Sequence, residues 1–223
     1  MKALVFGATG MVGQAVLLEC IRDHEVELVV TVGRTATGTA DPKVREIVHA
    51  NLADLSAIES QLAGFDACFY CLGVASTGMS EDDYTRITFG FTLAAGEVLS
   101  RSNPGMTFVY VSGSGTDSSE KGSMMWARVK GRTENALLAL PLKAFMFRPG
   151  FIEPMDGIRS RTPSYRIFYA ALKPALPLLR AMIPNKVIST RELGRAMLSG
   201  AKQGYPKSIL ETADIRAVVR ALS

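Results

Sequence analysis

Three glycines recur at fixed spacing near the start of the chain, within the run Gly7–Gly13. A short apolar segment comes before them and an amphipathic, helix-like pattern comes after them, so the glycines lie in a turn from a strand to a helix. Such a turn lets the backbone approach a pyrophosphate, and the helix N-terminus offers free N–H groups to it. The spacing is GxxGxxG, not the commoner GxGxxG. The turn predicts a dinucleotide site formed by Gly7, Ala8, Thr9, Gly10, Met11, Val12 and Gly13.

The residue after the second apolar segment discriminates between the two nicotinamide dinucleotides. About 20 residues beyond the glycine turn, an Asp or Glu typically binds the adenosine ribose of NAD. This chain has Gly33-Arg34-Thr35 there and no carboxylate before Asp41. A carboxylate would repel a 2′-phosphate, whereas a guanidinium can donate two parallel hydrogen bonds to it. Arg34 therefore favours NADP as the cofactor over NAD.

The cysteines and histidines do not suggest a metal site. Cys68 and Cys71 have CxxC spacing, but they lie in a run that is typical of a buried strand. Residues three apart on a strand face opposite sides of the sheet. The two thiols therefore cannot coordinate one metal ion together, and we interpret them as buried core thiols. His24 and His49 stand alone. We predict no metal.

The elements that would position these residues alternate between short apolar runs and longer amphipathic ones. Strands are predicted at Ala3–Phe6, Glu27–Val32, Val44–Val48, Ala67–Leu72, Thr107–Val111 and Ala144–Phe147. Helices are predicted at Met11–Arg22, Asp54–Leu62, Glu81–Ser100 and Ser123–Leu140. This alternation predicts an α/β fold: a Rossmann-like, doubly wound, mainly parallel sheet with helices on both faces.

After Gly150 the rhythm breaks, because prolines crowd a segment with no clean strand. We expect a small lid region over the carboxyl edge of the sheet. A helix near Thr190–Gly200, a short strand around Ser208–Leu210 and a helix from Asp214 would complete the chain.

Length and composition fit one well-buried domain of 223 residues, 48% apolar and 21% charged. We expect residues 1–150 to form the cofactor-binding core and residues 151–223 to form a substrate-side segment, not an independent domain. No apolar stretch reaches the roughly 18 residues that cross a bilayer, so no membrane partner is expected. The first apolar run is too short for a signal-peptide core, which leads us to expect a cytoplasmic protein.

Charge is unevenly distributed along the chain. From Gly157 onward there are 12 Lys or Arg and 3 Asp or Glu, against 13 and 18 in residues 1–156. The basic residues are scattered among apolar ones, without a basic run or interleaved aromatic residues. This favours a solvated basic face, or one that surrounds an anionic ligand, over nucleic-acid binding.

With these features in view, the sequence resembles the atypical short-chain dehydrogenase/reductases, and among them the Tat-interacting-protein-like and NmrA-like branch. The resemblance covers about residues 1–200. Besides the glycine turn and Gly33-Arg34, it rests on five short motifs. These are Asn51-Leu52, Cys71-Leu72-Gly73, Val111-Ser112-Gly113-Ser114, Val129-Lys130-Gly131 with Glu134, and Phe147-Arg148-Pro149-Gly150.

The resemblance implies NAD(P) binding and oxidoreductase or epimerase-type chemistry on a small carbonyl or sugar-like substrate. The resemblance also implies that Asn51 and Leu52 border the adenine, and that Leu72 and Gly73 line the ribose and nicotinamide side of the cofactor. Relatives often pair through the two long helices, so a homo-oligomer is compatible with the sequence, which leaves the oligomeric state open.

The same resemblance implies the reacting groups. Ser112 or Ser114 would present a hydroxyl to a substrate carbonyl, and Lys130 would hold the nicotinamide ribose. In active members a tyrosine stands four residues before this lysine, and the lysine lowers its pKa. This chain has Trp126 instead. An indole N–H is not a usable acid or base near neutral pH.

Two hypotheses therefore stay open. One is an NADP(H)-dependent enzyme with a proton donor other than Trp126, for which Tyr84, Tyr165 and Tyr169 are candidates. The other is an NADP(H)-binding regulatory or sensor protein that has lost hydride chemistry.

Overall fold

The computed structural model describes residues 1–158, 183 and 186–221. Its strands, in chain order, are β1 (Lys2–Phe6), β2 (Leu28–Gly33), β3 (Val44–Val48), β4 (Ala67–Tyr70), β5 (Thr107–Val111), β6 (Lys143–Arg148), β7 (Phe151–Glu153), β8 (Val187–Ser189) and β9 (Ile209–Glu211). Seven of them form one sheet in the order β3-β2-β1-β4-β5-β6-β9, with every neighbouring pair parallel. The order reverses between β1 and β4, which is where open α/β sheets bind ligands. The predicted doubly wound fold is confirmed.

Helices cover both faces of this sheet. They are α1 (Met11–Arg22), a 3-10 helix (Ser56–Leu62), α2 (Glu81–Thr85), a π-helical turn (Arg86–Gly90), α3 (Phe91–Ser102), α4 (Met125–Leu138), α5 (Thr190–Gln203) and α6 (Thr212–Arg220). One core layer packs the sheet against α1, α5 and α6, and the other packs it against the 3-10 helix, α3 and α4. The strands are apolar on both sides because both sides are buried.

The two core layers also settle the arrangement of the CxxC cysteines. Cys68 is fully buried in the layer that contains α3 and α4. Cys71 packs against the opposite layer, with α1. Their positions confirm that the two thiols face opposite sides of the sheet. Burial also raises the pKa of Cys71, which is the state of an inert core thiol.

Three predicted elements differ from the structure. The helix expected over Asp54–Leu62 is a 3-10 helix that begins at Ser56, because the Asp54 carboxylate accepts the Ser56 N–H at 2.9 Å and makes a turn first. The helix expected over Glu81–Ser100 is interrupted by the π-helical turn. The segment after Gly150, in which no strand was predicted because of its prolines, contains β7, which pairs in parallel with β8.

The chain after β8 follows the sequence-based prediction closely. Helix α5 begins at Thr190, and Ser189 caps it with a reciprocal bond to Glu192. Strand β9 joins the main sheet beside β6, and α6 follows it. The proposed lid residues Tyr165 and Tyr169 lie outside the described residues.

Candidate functional site

The glycine turn joins β1 to α1 at the carboxyl edge of the sheet. Gly7 has φ +74°, and a Cβ there would stand 2.7 Å from the Leu72 backbone. A Cβ at Gly13 would stand 2.2 Å from the Gly7 carbonyl oxygen. The fold itself therefore requires these two glycines, because they let α1 and the end of β4 pack against the turn.

Two other glycines are not required by packing. Among the residues that the structure describes, no atom lies within 4 Å of the Cβ position of Gly73, and the Gly7 carbonyl oxygen lies 3.3 Å from that of Gly10. Neither residue has the positive φ that would demand glycine. Glycine at such positions has no side chain to block a ligand from the backbone. The phosphate and ribose of a dinucleotide require this close approach. These residues fit the cofactor that the sequence predicts.

The N-terminus of α1 has the electrostatics of an anion site. Gly10 is its N-cap, so no side chain caps the helix, and its first turn holds no acidic residue. The aligned peptide dipoles leave partial positive charge there. Ala8 and Thr9 border a cleft of about 340 Å³ that Thr37 and Asp156 also line.

Arg34 follows β2 at the same edge and is exposed. It forms no ion pair or hydrogen bond with any other residue that the structure describes. The carboxylate of Glu46 on β3 accepts the Thr37 hydroxyl hydrogen, and also the N–H groups of Thr37 and Gly38 at 2.9 and 3.1 Å. The bond from the Thr37 hydroxyl, together with the backbone bonds, lowers the Glu46 pKa. The loop after β2 therefore satisfies the Glu46 carboxylate with hydrogen bonds from Thr37 and Gly38, and the exposed Arg34 guanidinium can contact a ligand.

The two residues expected beside adenine have different environments. Leu52 is buried in the core beneath the edge. Asn51 is exposed, and its side-chain oxygen accepts the Ala53 N–H at 3.2 Å. Of the pair, Asn51 presents a polar group to solvent.

The end of β5 is tied to α4 and β6 by a buried polar network. The Ser112 hydroxyl donates to the Glu134 carboxylate at 2.5 Å. Glu134 is fully buried and accepts two further bonds from Arg148 Nε, at 3.0 and 3.2 Å, and one from Arg148 Nη2. Ser118 and Glu211 complete the partners of Arg148. The Ser112 hydroxyl is thus engaged inside the protein.

Ser114 is placed differently from Ser112. Its backbone N–H donates to the Pro149 carbonyl at 2.9 Å, which fixes the loop. Its side chain is partly exposed and has no hydrogen-bond partner within the described residues. Of the two predicted serines, Ser114 is the one whose hydroxyl is available to a ligand.

Lys130 points from α4 into this loop. Its Nζ donates to the Ser112 carbonyl and stands 3.9 Å from the Cβ position of Gly113. Desolvation by burial lowers the Lys130 pKa from 10.5 to about 8, although Glu134 acts in the opposite direction. The structure thus joins Lys130 to the end of β5.

Trp126 lies one helical turn before Lys130, at the start of α4. The edge of its ring is 3.4 Å from the Cβ position of Gly115, in the loop after Ser114. The indole therefore borders the site. Tyr84, one of the three candidate proton donors, is instead packed in the interior and only 2% exposed.

Sequence reasoning quoted Glu134 and Arg148 as motif residues but missed that they pair. A glutamate on the buried side of a helix was the available signal, because a fully buried carboxylate needs a cationic or hydrogen-bonding partner. The partner could not be chosen without the sheet, since β6 brings Arg148 beneath α4. The network brings the two motifs together in the folded chain.

The sequence matches the NAD dependent epimerase/dehydratase family over residues 3–122, and the chain belongs to that family. Among curated proteins it is similar to "Protein FMP52-1, mitochondrial" of Scheffersomyces stipitis, with 28% identity over 156 residues that cover 68% of this chain and 67% of that protein. It is also similar to "Protein FMP52, mitochondrial" of Debaryomyces hansenii, with 28% identity over 67% of this chain and 66% of that protein.

Solved structures share the fold. MoeE5 in complex with UDP-glucose and NAD has a TM-score of 0.68 and 17% identity, covering 100% of this chain and 82% of that one. A dTDP-glucose 4,6-dehydratase from Streptomyces venezuelae with NAD bound has a TM-score of 0.68 and 18% identity, covering 100% and 80%. WbmH of Bordetella bronchiseptica in complex with NAD+ has a TM-score of 0.66 and 15% identity, covering 99% and 79%.

The expected cytoplasmic location is wrong, because the curated relatives are mitochondrial proteins by name. The expectation used the shortness of the first apolar run, a feature that does not distinguish the cytosol from an organelle. Among the helices that the structure describes, none has the length and apolar character to span a membrane.

Proposed function

We propose that this protein is an NADP(H)-dependent oxidoreductase or epimerase-type enzyme that acts on a small carbonyl or sugar-like compound. The observation that carries the proposal is the shared edge of the sheet. The glycine turn, Arg34 and Ser114 follow the carboxyl ends of parallel strands there, and Lys130 reaches the same edge from α4 through its bond to the Ser112 carbonyl. The pyrophosphate would bind at the N-terminus of α1 between Gly10 and Gly13. Lys130 would hold the nicotinamide ribose.

NADP preference is supported by Arg34. Its exposed guanidinium has the geometry for a 2′-phosphate, and the nearby Glu46 carboxylate is occupied by backbone N–H groups. The solved structures with NAD share under 20% of their residues with this chain, so their cofactor does not decide the choice.

The reacting groups would be Ser114 and the bound cofactor, which supplies hydride when present. Ser114 would donate its hydroxyl hydrogen to the substrate carbonyl. Ser112 would position the loop without contacting the substrate carbonyl, because its hydroxyl is hydrogen-bonded to Glu134. Polarisation of the carbonyl by a fixed donor stabilises the negative charge that develops on its oxygen.

The proposed cofactor is tested with the single tryptophan of the chain, Trp126. We expect NADPH to change its fluorescence at far lower concentration than NADH. Arg34→Ala should weaken NADPH binding about 10- to 100-fold, since two charge-assisted hydrogen bonds are lost, and leave NADH binding unchanged. Arg101→Ala is the matched control, because Arg101, in the last turn of α3, is 61% exposed and pairs with Glu59 of the 3-10 helix. No fluorescence change and no calorimetric heat with either nucleotide would refute cofactor binding.

A second candidate function is an NADP(H)-binding sensor without turnover, and Trp126 specifically favours it. A measurement of catalytic turnover distinguishes the enzyme from the sensor. A chain that binds NADPH tightly but reduces no compound in a broad panel of aldehydes, ketones and nucleotide sugars supports the sensor. Any NADPH-dependent reduction that Lys130→Ala abolishes supports the enzyme.

A further inference from the structure

Resting on this proposed function, we infer that Lys130 is itself the proton donor to the substrate, taking the chemical role that a tyrosine at position 126 would otherwise have. The inference begins with the groups around the loop that follows β5. Trp126 borders this loop, and its indole N–H does not exchange a proton usefully near neutral pH. A carbonyl reduced here still needs a proton on its oxygen, so another group must supply it.

The remaining described side chains around the loop narrow the choice. The Ser112 hydroxyl is committed to Glu134, and the Glu134 carboxylate is fully buried beneath the loop and bonded to Arg148. The Ser114 hydroxyl is free to donate a hydrogen bond, but an alcohol is too weak an acid to give up its proton near pH 7. The Lys130 ammonium reaches this loop from α4, and its hydrogen-bond partner is the Ser112 backbone carbonyl and not a carboxylate.

The electrostatic surroundings suit an ammonium group that gives up a proton. Burial disfavours its charged form and lowers the Lys130 pKa to about 8. The charged group that acts on Lys130 against burial is Glu134, one turn along α4, and this carboxylate pairs with Arg148 from β6. Because Glu134 is shared with Arg148, it opposes the shift without cancelling it. A donor with a pKa near the working pH is the efficient one.

The step balances as a two-electron reduction. The carbonyl carbon would accept a hydride, and NADPH, when bound, would be the two-electron reductant that supplies it. The electron pair of the carbonyl π bond moves to the oxygen, and that oxygen takes a proton from the Lys130 ammonium. The product is an alcohol, and the neutral Lys130 amine recovers a proton from solvent.

The first test measures the pH dependence of the reactivity of the Lys130 amine and needs no substrate. Competitive labelling of the intact protein with isotopic acetic anhydride across pH 6–11, read by peptide mass spectrometry, reports each amine in one sample. We expect Lys130 to reach half-maximal reactivity near pH 8 and NADPH to protect it. Exposed Lys2 is the internal reference and should not be protected. Half-maximal reactivity of Lys130 above pH 10 would overturn the inference.

The second test uses NADPH with a panel of activated carbonyls that includes 4-nitrobenzaldehyde. We expect kcat/KM to fall tenfold per pH unit above about pH 8, and Lys130→Arg to lower kcat about 100-fold or more while NADPH binding stays within threefold. An arginine keeps the charge but does not release a proton. Tyr165→Phe and Tyr169→Phe should leave turnover unchanged.

The outcomes separate this inference from the proposed function. Turnover that survives Lys130→Arg, or that disappears with either tyrosine variant instead, overturns Lys130 as the donor and leaves the enzyme proposal standing. Tight NADPH binding with no turnover of any carbonyl overturns the enzyme proposal and this inference together.

Discussion

The Ser112 hydroxyl donates a 2.5 Å hydrogen bond to the buried Glu134 carboxylate, and this bond separates the two serines at the end of β5. Ser112 is only 6% exposed, and its hydroxyl oxygen lies 3.2 Å from the Phe147 carbonyl oxygen. Ser114, two residues later, keeps its hydroxyl partly exposed. One serine holds the loop in place, and the other is available to a ligand.

This difference predicts opposite effects of two alanine variants. Ser112→Ala should lower the free energy of unfolding by about 2 kcal/mol, because a hydrogen bond to a charged group is lost in the interior. Ser114→Ala should change it by less than about 0.5 kcal/mol, as is usual for surface positions, yet reduce kcat of any carbonyl reduction. Urea unfolding and steady-state kinetics measure the two effects. Equal loss of stability in both variants would contradict the distinction.

The Glu134–Arg148 pair should behave as one unit. Arg148→Met leaves the fully buried Glu134 carboxylate without its guanidinium partner, and we expect it to cost about 3–5 kcal/mol. Glu134→Leu leaves Arg148 with Glu211, 3.5 Å away, so we expect it to cost less. The double variant should cost clearly less than the sum of the two. A double-mutant cycle by urea unfolding gives the coupling energy. Additive costs would mean that the two side chains are stabilised independently.

The glycine turn provides a matched pair of variants. Gly13→Ala would place a Cβ 2.2 Å from the backbone oxygen of Gly7, which cannot move without disturbing β1, so we expect no stable folded protein. Gly10→Ala meets that oxygen at 3.3 Å. It should fold with a loss of about 1 kcal/mol and bind NADPH about tenfold more weakly. Circular dichroism and Trp126 fluorescence check the pair. Normal folding of Gly13→Ala would refute the packing argument.

The sequence predicts the sheet well because parallel strands that are buried on both faces leave long apolar runs, and because the glycine turn marks β1 and α1 unambiguously. It predicts poorly where a local bond competes with a periodic pattern, as at Asp54, where a turn delays the 3-10 helix. The choice between Ser112 and Ser114 depends on where Glu134 lies, and that depends on α4 packing over β6. Such a contact between distant segments cannot be read from local spacing.

The position of Lys130 also makes a prediction about stability and pH. Because its pKa is about 8 in the folded chain against 10.5 for an ordinary lysine, the unfolded state binds more protons between these values. The free energy of unfolding contributed by Lys130 must therefore rise with pH across that window, by roughly 3 kcal/mol for a shift of this size. The buried tyrosines and cysteines titrate in both proteins alike, so the difference between the wild type and Lys130→Met isolates the lysine. Urea unfolding at pH 7 to 10.5 should show Lys130→Met as the more stable protein at pH 7, with the advantage shrinking as pH rises. A difference that does not vary with pH would mean that Lys130 is solvated in the folded protein, and the desolvated lysine on which its proposed acid role depends would be absent.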